Sequence, residues 1–300
     1  MTTYSIDLFV NPTAGRGRAG RRLAEIRRLI EASGASVIIH ESGYVGDLET
    51  QVRDLVSSGV ERIIVAGGDG SIHEAVNGIM DADTDASLGI VPSGTGNDFA
   101  KAAGIPLEWR AATTLLASRI ADNVAPRTID VGRMNDRYFA NGAGIGLDAK
   151  VTRIARDYNW PIGDLVYLVA ILRTMLDGIA TPEMQLEAES LRWDGPLTLA
   201  SVSNGPWIGG MFHIAPMAKN DDGKLELMVA APVTRTRIFS LLPKLMKGEH
   251  LDETEVEHCS IRRLTVRSAS PVPSHLDGEV QPLQSDFEFE ILPGALSLLQ

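Results

Sequence analysis

Through about the first 125 residues, short apolar runs alternate with segments whose apolar positions recur at helical spacing. Ile6-Asp7-Leu8-Phe9-Val10 reads as a strand, followed by a turn at Asn11-Pro12 and a loop carrying Gly15 and Gly17. Leu23, Ile26, Leu29 and Ile30 then fall on one helical face, and Gly34 ends that helix. Further strands are predicted at 37–39, 62–66 and 88–91, and further helices at 47–56, 71–80, 98–103 and 107–120. A β-α-β-α order of this kind predicts a mostly parallel, three-layer sheet with right-handed crossovers. Ligands of such sheets sit at the carboxyl ends of the strands.

From about residue 126 the period changes from helical to two. Met184, Leu186 and Ala188 alternate with polar residues, as do Leu225, Leu227 and Val229, and again Phe287, Phe289 and Ile291. Asn135-Asp136 lies between two strand-like runs and predicts a hairpin turn. This half reads as an antiparallel β domain with helices at 164–177 and 235–247. The expected division is 1–125 and 126–300, with the extreme C-terminus packing back on the first domain. A cleft between the two is the expected active site.

Composition narrows the class. A chain of 300 residues with 44% apolar content can bury a full core without staples. Cys259 is the only cysteine, so no internal disulfide forms, which fits a reducing cytoplasm. Nothing at the start resembles a signal peptide. The apolar stretch 165–175 is too short to span a bilayer and is interrupted by Arg173, with Asp177 following. The expectation is a cytoplasmic protein, soluble or peripherally membrane-associated. A formal net charge of −11 argues against general nucleic-acid binding. Arg16, Arg18, Arg21, Arg22, Arg27 and Arg28 nevertheless crowd into one segment, either a solvated helix face or an anion contact. The segment 235–247 mixes Ile238, Phe239, Leu241, Leu242, Leu245 and Met246 with Arg235, Arg237, Lys244 and Lys247. It reads as a helix packed over the β domain or one lying on an anionic membrane, and Pro243 is expected to break or kink it.

The chemistry concentrates in two glycine-rich turns about 25 residues apart, Gly67-Gly68-Asp69-Gly70-Ser71 and Ser93-Gly94-Thr95-Gly96-Asn97-Asp98. Each follows a strand and precedes a helix, an arrangement that aims backbone N–H groups at one point and suits phosphate. Ser71 with Glu74, and Thr95 with Asp98, also read as helix-capping pairs. Capping leaves the five glycines unexplained, and they suggest close backbone approach by a ligand. Asp69 is a candidate holder of Mg2+. Neither turn is a Walker A loop or a dinucleotide fingerprint.

Taken together, Gly67-Gly68-Asp69-Gly70-Ser71 with Glu74 and Asn77, Pro92-Ser93-Gly94-Thr95-Gly96-Asn97-Asp98-Phe99-Ala100 and the opening Asn11-Pro12-x-Ala14-Gly15 resemble the diacylglycerol kinase catalytic family. The resemblance continues, in order, through Asp130-Val131-Gly132, Gly142-x-Gly144-x-Gly146-x-Asp148, Ala215-Pro216, Asp221-Asp222-Gly223 and Asp277-Gly278-Glu279. It looks closest to the soluble bacterial lipid kinases of that family, which has sphingosine- and ceramide-kinase relatives. Ser71 stands where threonine is usual, and the hydroxyl is kept. The resemblance implies an α/β fold: an N-terminal three-layer α/β/α nucleotide domain, like that of NAD kinases and phosphofructokinases, then an antiparallel β-sandwich. It implies ATP and Mg2+, with Asn11, Arg16, Gly67, Gly68, Gly70, Ser71, Glu74, Gly94, Thr95, Asn97 and Asp98 at the nucleotide. Arg16, Arg18 and Arg22 become candidates for phosphate or an anionic headgroup.

Asp277-Gly278 reads either as a hairpin turn or as part of a strand whose Asp277 and Glu279 share one face. The resemblance makes Asp277 the base that accepts a substrate hydroxyl proton, with Glu279 orienting it or helping to hold metal and Asp69 acting in catalysis. It also implies a structural Mg2+ held by Asp222 and the backbone carbonyls of Lys219 and Lys224. No histidine has zinc-type spacing, and His275 stands out only for lying two residues before Asp277. The expected partners are a lipid substrate, most simply diacylglycerol, and a membrane surface met transiently. A homodimer is compatible with the sequence, and nucleic acid is not expected.

Overall fold

The computed structural model describes residues 5–158 and 165–300. It divides into two compact units, Met1–Asp130 with Gly294–Gln300, and Val131–Pro293.

The first unit is a parallel sheet in the order β2-β1-β3-β4. Its strands are β1 (Ser5–Val10), β2 (Ser36–Glu41), β3 (Arg62–Gly67) and β4 (Ser87–Pro92). Helices α1 (Ala14–Glu31), α2 (Asp47–Ser57), α3 (Asp69–Ala82), α4 (Asp98–Ala102) and α5 (Trp109–Ala121) connect and cover them. β3 and β4 read as near-continuous apolar runs, and β1 as one interrupted by the buried Asp7, because a parallel sheet covered by helices is dry on both faces. Ile6, Leu8, Val10, Ile64 and Val91 pack there with Ile26 and Ile30 of α1 and Leu116 of α5. The chain returns to this unit at its end, where Ser297–Leu299 run parallel to β4.

β5 (Arg127–Met134) leads from the first unit into the second. There follow β6 (Arg137–Phe139), β7 (Gly142–Gly146), α6 (Leu147–Asp157), α7 (Leu165–Asp177), β8 (Glu183–Ala188), β9 (Arg192–Pro196) and β10 (Leu199–Ser203). β11 (Leu225–Ala230), α8 (Arg235–Lys247), β12 (Val256–Ile261), β13 (Arg263–Val272), β14 (Ser274–Leu276), β15 (Glu279–Val280) and β16 (Gln284–Leu299) complete the chain. One antiparallel sheet runs β12-β11-β10-β7-β14-β15, and β16-β13-β8-β9 belong to the other. The period-two residues Leu186, Leu227, Phe287 and Phe289 meet Phe139, Ile145, Val202 and Val266 between the sheets. Each such side chain contributes about 1.5–3 kcal/mol by leaving water, which makes this alternation the stabilising pattern of the sandwich.

Asn135-Asp136 forms the expected hairpin, with Met134 opposite Arg137 and Asn135 at φ 52°. The predicted helix at 164–177 is present from Leu165 to Asp177, and residue 164 lies outside the described residues. Two details depart from the sequence reading. α6, unpredicted, carries Asp148 and Arg156. α8 runs on through Pro243. The bond Pro243 cannot make would go to the carbonyl of Phe239, and both residues are exposed, on the side of the helix where a lost backbone bond costs least. Among the described residues no helix is long and apolar enough to cross a membrane.

Candidate active site

In the first unit the two glycine turns are built against each other. The N–H of Ser93 donates to the carbonyl of Gly67 at 2.8 Å. A Cβ on Gly68 would lie 2.9 Å from the Cα of Gly94, and one on Gly94 would lie 2.6 Å from the Cα of Gly68. A Cβ on Gly67 would lie 2.4 Å from that of Ser71. Close approach of chain to chain therefore requires glycine at all three positions. Chain packing thus accounts for these three glycines beside the ligand approach that the sequence suggests for all five.

The capping readings are corrected. Asp69, Gly70 and Ser71 form the first turn of α3, Gly68 is its N-cap residue, and no side chain caps it. Glu74 turns away to another helix, its Oε2 accepting the N–H of Leu48 in α2 at 3.1 Å. Asp69 Oδ1 accepts the N–H of Phe99 at 3.2 Å, so the first turn supplies the acceptor for the second turn's helix. Thr95 and Asp98 do not form a capping pair. Asn97 stands at the N-cap of α4 with φ 51°, and its Oδ1 accepts the N–H of Gly94 at 3.0 Å. Asp98 pairs with Lys101 at 3.1 Å. With a glycine at its N-cap, the N-terminus of α3 has the polarity and the donors that bind phosphate.

The loop after β1 closes the third side. Gly15, Arg16 and Gly17 all have left-handed backbone, and Arg16 is the non-glycine among them at φ 62°. A Cβ on Gly15 would lie 2.0 Å from the carbonyl oxygen of Ser93. Arg18 ties the loop to the second turn, donating from Nε to Gly15 O and from Nη2 to Gly94 O, both at 2.8 Å. Its Nη2 also reaches Thr95 Oγ1 at 3.4 Å. Asn11 Oδ1 accepts the N–H of Thr13 at 3.0 Å and stiffens the turn that starts the loop. Arg22 lies 5.2 Å over the Trp109 ring, and burial lowers its pKa. Arg18 and Arg22 thus spend their guanidinium groups on the protein's own carbonyls and ring.

In the second unit, Asp277 and Glu279 do not share a strand face. Asp277-Gly278 is a hairpin turn between β14 and β15, with φ 50° and 85°. The Asp277 carboxylate folds back onto the start of β7. Oδ1 accepts the N–H groups of Asn141 and Gly142, and Oδ2 that of Ala140, each at 2.9 Å. Glu279 pairs with Arg156 of α6, which also donates to Gly278 O at 3.4 Å. Asp277 is a fixed carboxylate, and Glu279 is neutralised by an arginine that sequence reasoning passed over because α6 went unpredicted.

The same unit holds an apolar cavity of about 140 Å³, bounded by α6, α7, α8 and the β10–β11 face. Leu147, Ile171, Met228 and Leu242 are among its walls, and Asp148 and His250 are polar residues on it. Such an apolar lining favours a hydrocarbon chain over water. His250 Nε2 lies 3.1 Å from the carbonyl oxygen of Ile214, and burial lowers the pKa of the ring.

Among the described residues there is no group of three or more His, Cys, Asp or Glu side chains placed to hold a metal. Asp222 lies in the loop before β11 with Lys219 and Lys224, and its Oδ1 accepts the N–H of Lys224 at 3.1 Å. A cation in that loop would depend mainly on backbone carbonyls.

Residues 5–134 match the diacylglycerol kinase catalytic domain, and residues 142–300 match the YegS C-terminal NAD kinase beta sandwich-like domain. The chain belongs to the diacylglycerol kinase family of lipid kinases. It is 30% identical over 275 residues to a diacylglycerol kinase of Bacillus subtilis, covering 91% of this chain and 88% of the relative. It is 31% identical over 277 residues, with the same coverage, to a probable lipid kinase YegS-like of Pseudomonas aeruginosa. A solved Bacillus anthracis structure, described as a putative diacylglycerol kinase, superposes with TM-score 0.81 at 25% identity, covering 100% of this chain and 98% of the other. Within the family frame, the two glycine turns fall in the catalytic domain and Asp277 in the sandwich domain.

Proposed function

We propose that this chain transfers the γ-phosphoryl group of ATP to the hydroxyl of a lipid, with diacylglycerol the foremost acceptor. The observation that carries the lipid reading is the apolar cavity in the unit that bears Asp277, with Asp148 on its wall. A water-soluble acceptor has no use for such a lining, whereas a hydrocarbon chain gains from it. The phosphate reading rests on the uncapped start of α3 and the two turns locked beside it.

In this reading the N–H groups at the start of α3 and the turn at Gly94 hold the nucleotide phosphates. Asp69 would hold Mg2+ together with phosphate oxygens, and when bound the ion neutralises charge on the transferring group. Asp277 accepts the proton of the acceptor hydroxyl as its oxygen bonds to the γ-phosphorus. The bond from the γ-phosphorus to the bridging oxygen breaks, and ADP leaves. The three N–H groups on Asp277 fix its position, and fixed position is most of what a phosphoryl-transfer enzyme supplies.

The test is transfer of labelled phosphate from ATP by the purified chain to diacylglycerol, phosphatidylglycerol, a sphingoid base and NAD in parallel. Label in diacylglycerol is expected. Label in no lipid overturns the reading, and label in NAD alone reassigns the acceptor.

A further inference from the structure

His275 lies on β14, opposite Gly144 of β7, and is 1% exposed. Its two ring nitrogens face different parts of the site. Nδ1 accepts the N–H of Gly278 at 3.3 Å, within the turn that carries Asp277. An accepting Nδ1 places the ring proton on Nε2 in the neutral imidazole. Nε2 lies 3.4 Å from Oδ2 of Asp148, the acid on the cavity wall. The other oxygen of Asp148 is held by the N–H of Ala149 at 2.7 Å, at the start of α6. Both Nε2 and Oδ2 are buried without a well-formed hydrogen bond, so the contact between them is attractive but misaligned.

The arrangement needs Gly144. A Cβ there would lie 1.8 Å from Asp148 Oδ2 and 2.6 Å from His275 Nε2. The middle glycine of Gly142-x-Gly144-x-Gly146-x-Asp148 therefore makes room for this pair. The motif's first residue, Gly142, donates its N–H to Asp277. One strand thus carries the anchor of the turn carboxylate and the floor of the Asp148–His275 contact.

We infer that His275 is a positioning residue, which links the acid on the acceptor cavity to the turn that holds Asp277. The inference rests on the kinase reading above for what the link accomplishes, but not for its existence. An imidazole with one donor and one acceptor accepts the Gly278 N–H at Nδ1 and turns its Nε2 proton toward Asp148 across the 3.4 Å contact. A glutamine amide offers the same pair of groups, and a leucine of similar size offers neither.

The experiment has two arms on the full chain. In the first, His275→Leu is expected to lower kcat for diacylglycerol phosphorylation on the order of 10-fold to 100-fold, the size of effect that misplaced reacting groups produce. The KM for ATP and the nucleotide Kd should stay within about twofold of the parent, and His275→Gln should recover most of kcat. Equal kcat in the Leu and Gln variants, or a loss confined to the KM for ATP, overturns the inference. In the second arm, nitrogen–proton correlation spectra of histidine-labelled wild type should show His275 protonated at Nε2, with a resonance that moves in Asp148→Asn. A proton on Nδ1, or a resonance indifferent to Asp148, overturns it. The second arm needs no turnover and no folded His275 variant. It decides the inference even where no acceptor takes up label, an outcome that counts against the kinase reading alone.

Discussion

The carboxylate of Asp69, on the first residue of α3, accepts the backbone N–H of Phe99 at 3.2 Å and so fixes the start of α4. One residue serves both glycine turns. Asparagine keeps a carbonyl oxygen for Phe99 but loses the charge that would hold Mg2+. Asp69→Asn is therefore expected to unfold at nearly the parent temperature while losing transfer by at least about 100-fold. Asp69→Ala should lose both, with a stability cost of about 1 kcal/mol for the missing cap. Thermal melts and kcat on the two variants check this. An Asn variant of normal activity would leave Asp69 with the structural task alone.

Gly68 and Gly94 approach closely enough that neither admits a methyl group without moving the other's backbone. Gly68→Ala and Gly94→Ala are each expected to cost about 1–3 kcal/mol, as overpacking does. Both should also weaken nucleotide binding, because the turns would part. Calorimetric titration with ATP, read beside the denaturant midpoint, tests the pair. A destabilised variant that binds ATP with the parent's affinity would separate the turns' packing from their ligand.

Asp277 holds three backbone N–H groups at 2.9 Å. Its replacement therefore has two effects. Asp277→Asn turns an NH2 toward donors that need an acceptor, so a loss of about 1–3 kcal/mol is expected. Transfer should disappear while ATP binding persists, since the nucleotide contacts proposed above are all in the first unit. Retained transfer in Asp277→Asn would rule out the base assignment. Lost ATP binding would show that the substitution acts beyond its own turn.

Much of this was legible in the sequence, and the failures have physical causes. Hydrophobic period located β1, β3, β4, β8, β11 and β16 because each buries its pattern locally. α6 escaped because it follows directly on β7, a glycine-rich strand without an apolar run. The capping pairs misled because Ser71-x-x-Glu74 matches a local motif while Glu74 finds a stronger partner in a neighbouring helix, Leu48. Asp130-Val131-Gly132 shows what spacing cannot. A Cβ on Gly132 would lie 2.1 Å from Phe139, and Asp130 Oδ1 accepts the N–H of Gly294 at 2.8 Å, so two of the motif's residues serve the fold. Likewise Asp277 and Glu279 are two apart in sequence, yet a turn sends one to backbone amides and the other to Arg156.

The dependence of stability on pH follows from two groups beside the cavity. Hydrogen bonds from Arg237 hold the carboxyl of Glu255 down at about 2, against an ordinary value of 4.5. The unfolded chain takes up this proton first. The stabilisation is therefore complete above about pH 4.5 and is lost as pH falls toward 2. Burial lowers the pKa of His250 below 6.5, so the folded chain also resists a proton that the unfolded chain accepts, and stability falls as pH drops below that value. Urea midpoints measured across pH should decline in both windows. Glu255→Gln should flatten the acidic one and His250→Gln the other. A parent-like slope in either variant assigns that window to different groups.

A chain of net charge −11 is repelled as a whole by an anionic membrane, so a lipid acceptor must be reached through a local surface. We propose that α7 and α8, which bound the cavity, supply it. Leu176 is 76% exposed and Phe239 49%, with Leu172 and Met246 also exposed on the same two helices. Arg235 and Lys247 stand at the two ends of α8, and in this proposal they meet lipid phosphates while the apolar residues enter the interface. Burying one such side chain is worth about 1.5–3 kcal/mol, so each of Leu176→Ser and Phe239→Ser should weaken binding to vesicles of phosphatidylglycerol and phosphatidylcholine by about 10-fold to 100-fold. Arg235→Gln with Lys247→Gln should instead reduce its dependence on salt. Phosphorylation of a short-chain, water-dispersed diacylglycerol should be unaffected by the four substitutions, because they lie outside the groups assigned to transfer. Vesicle sedimentation read against that assay separates docking from chemistry. Parent-like sedimentation of the Leu176→Ser, Phe239→Ser double variant would move the docking surface off these helices.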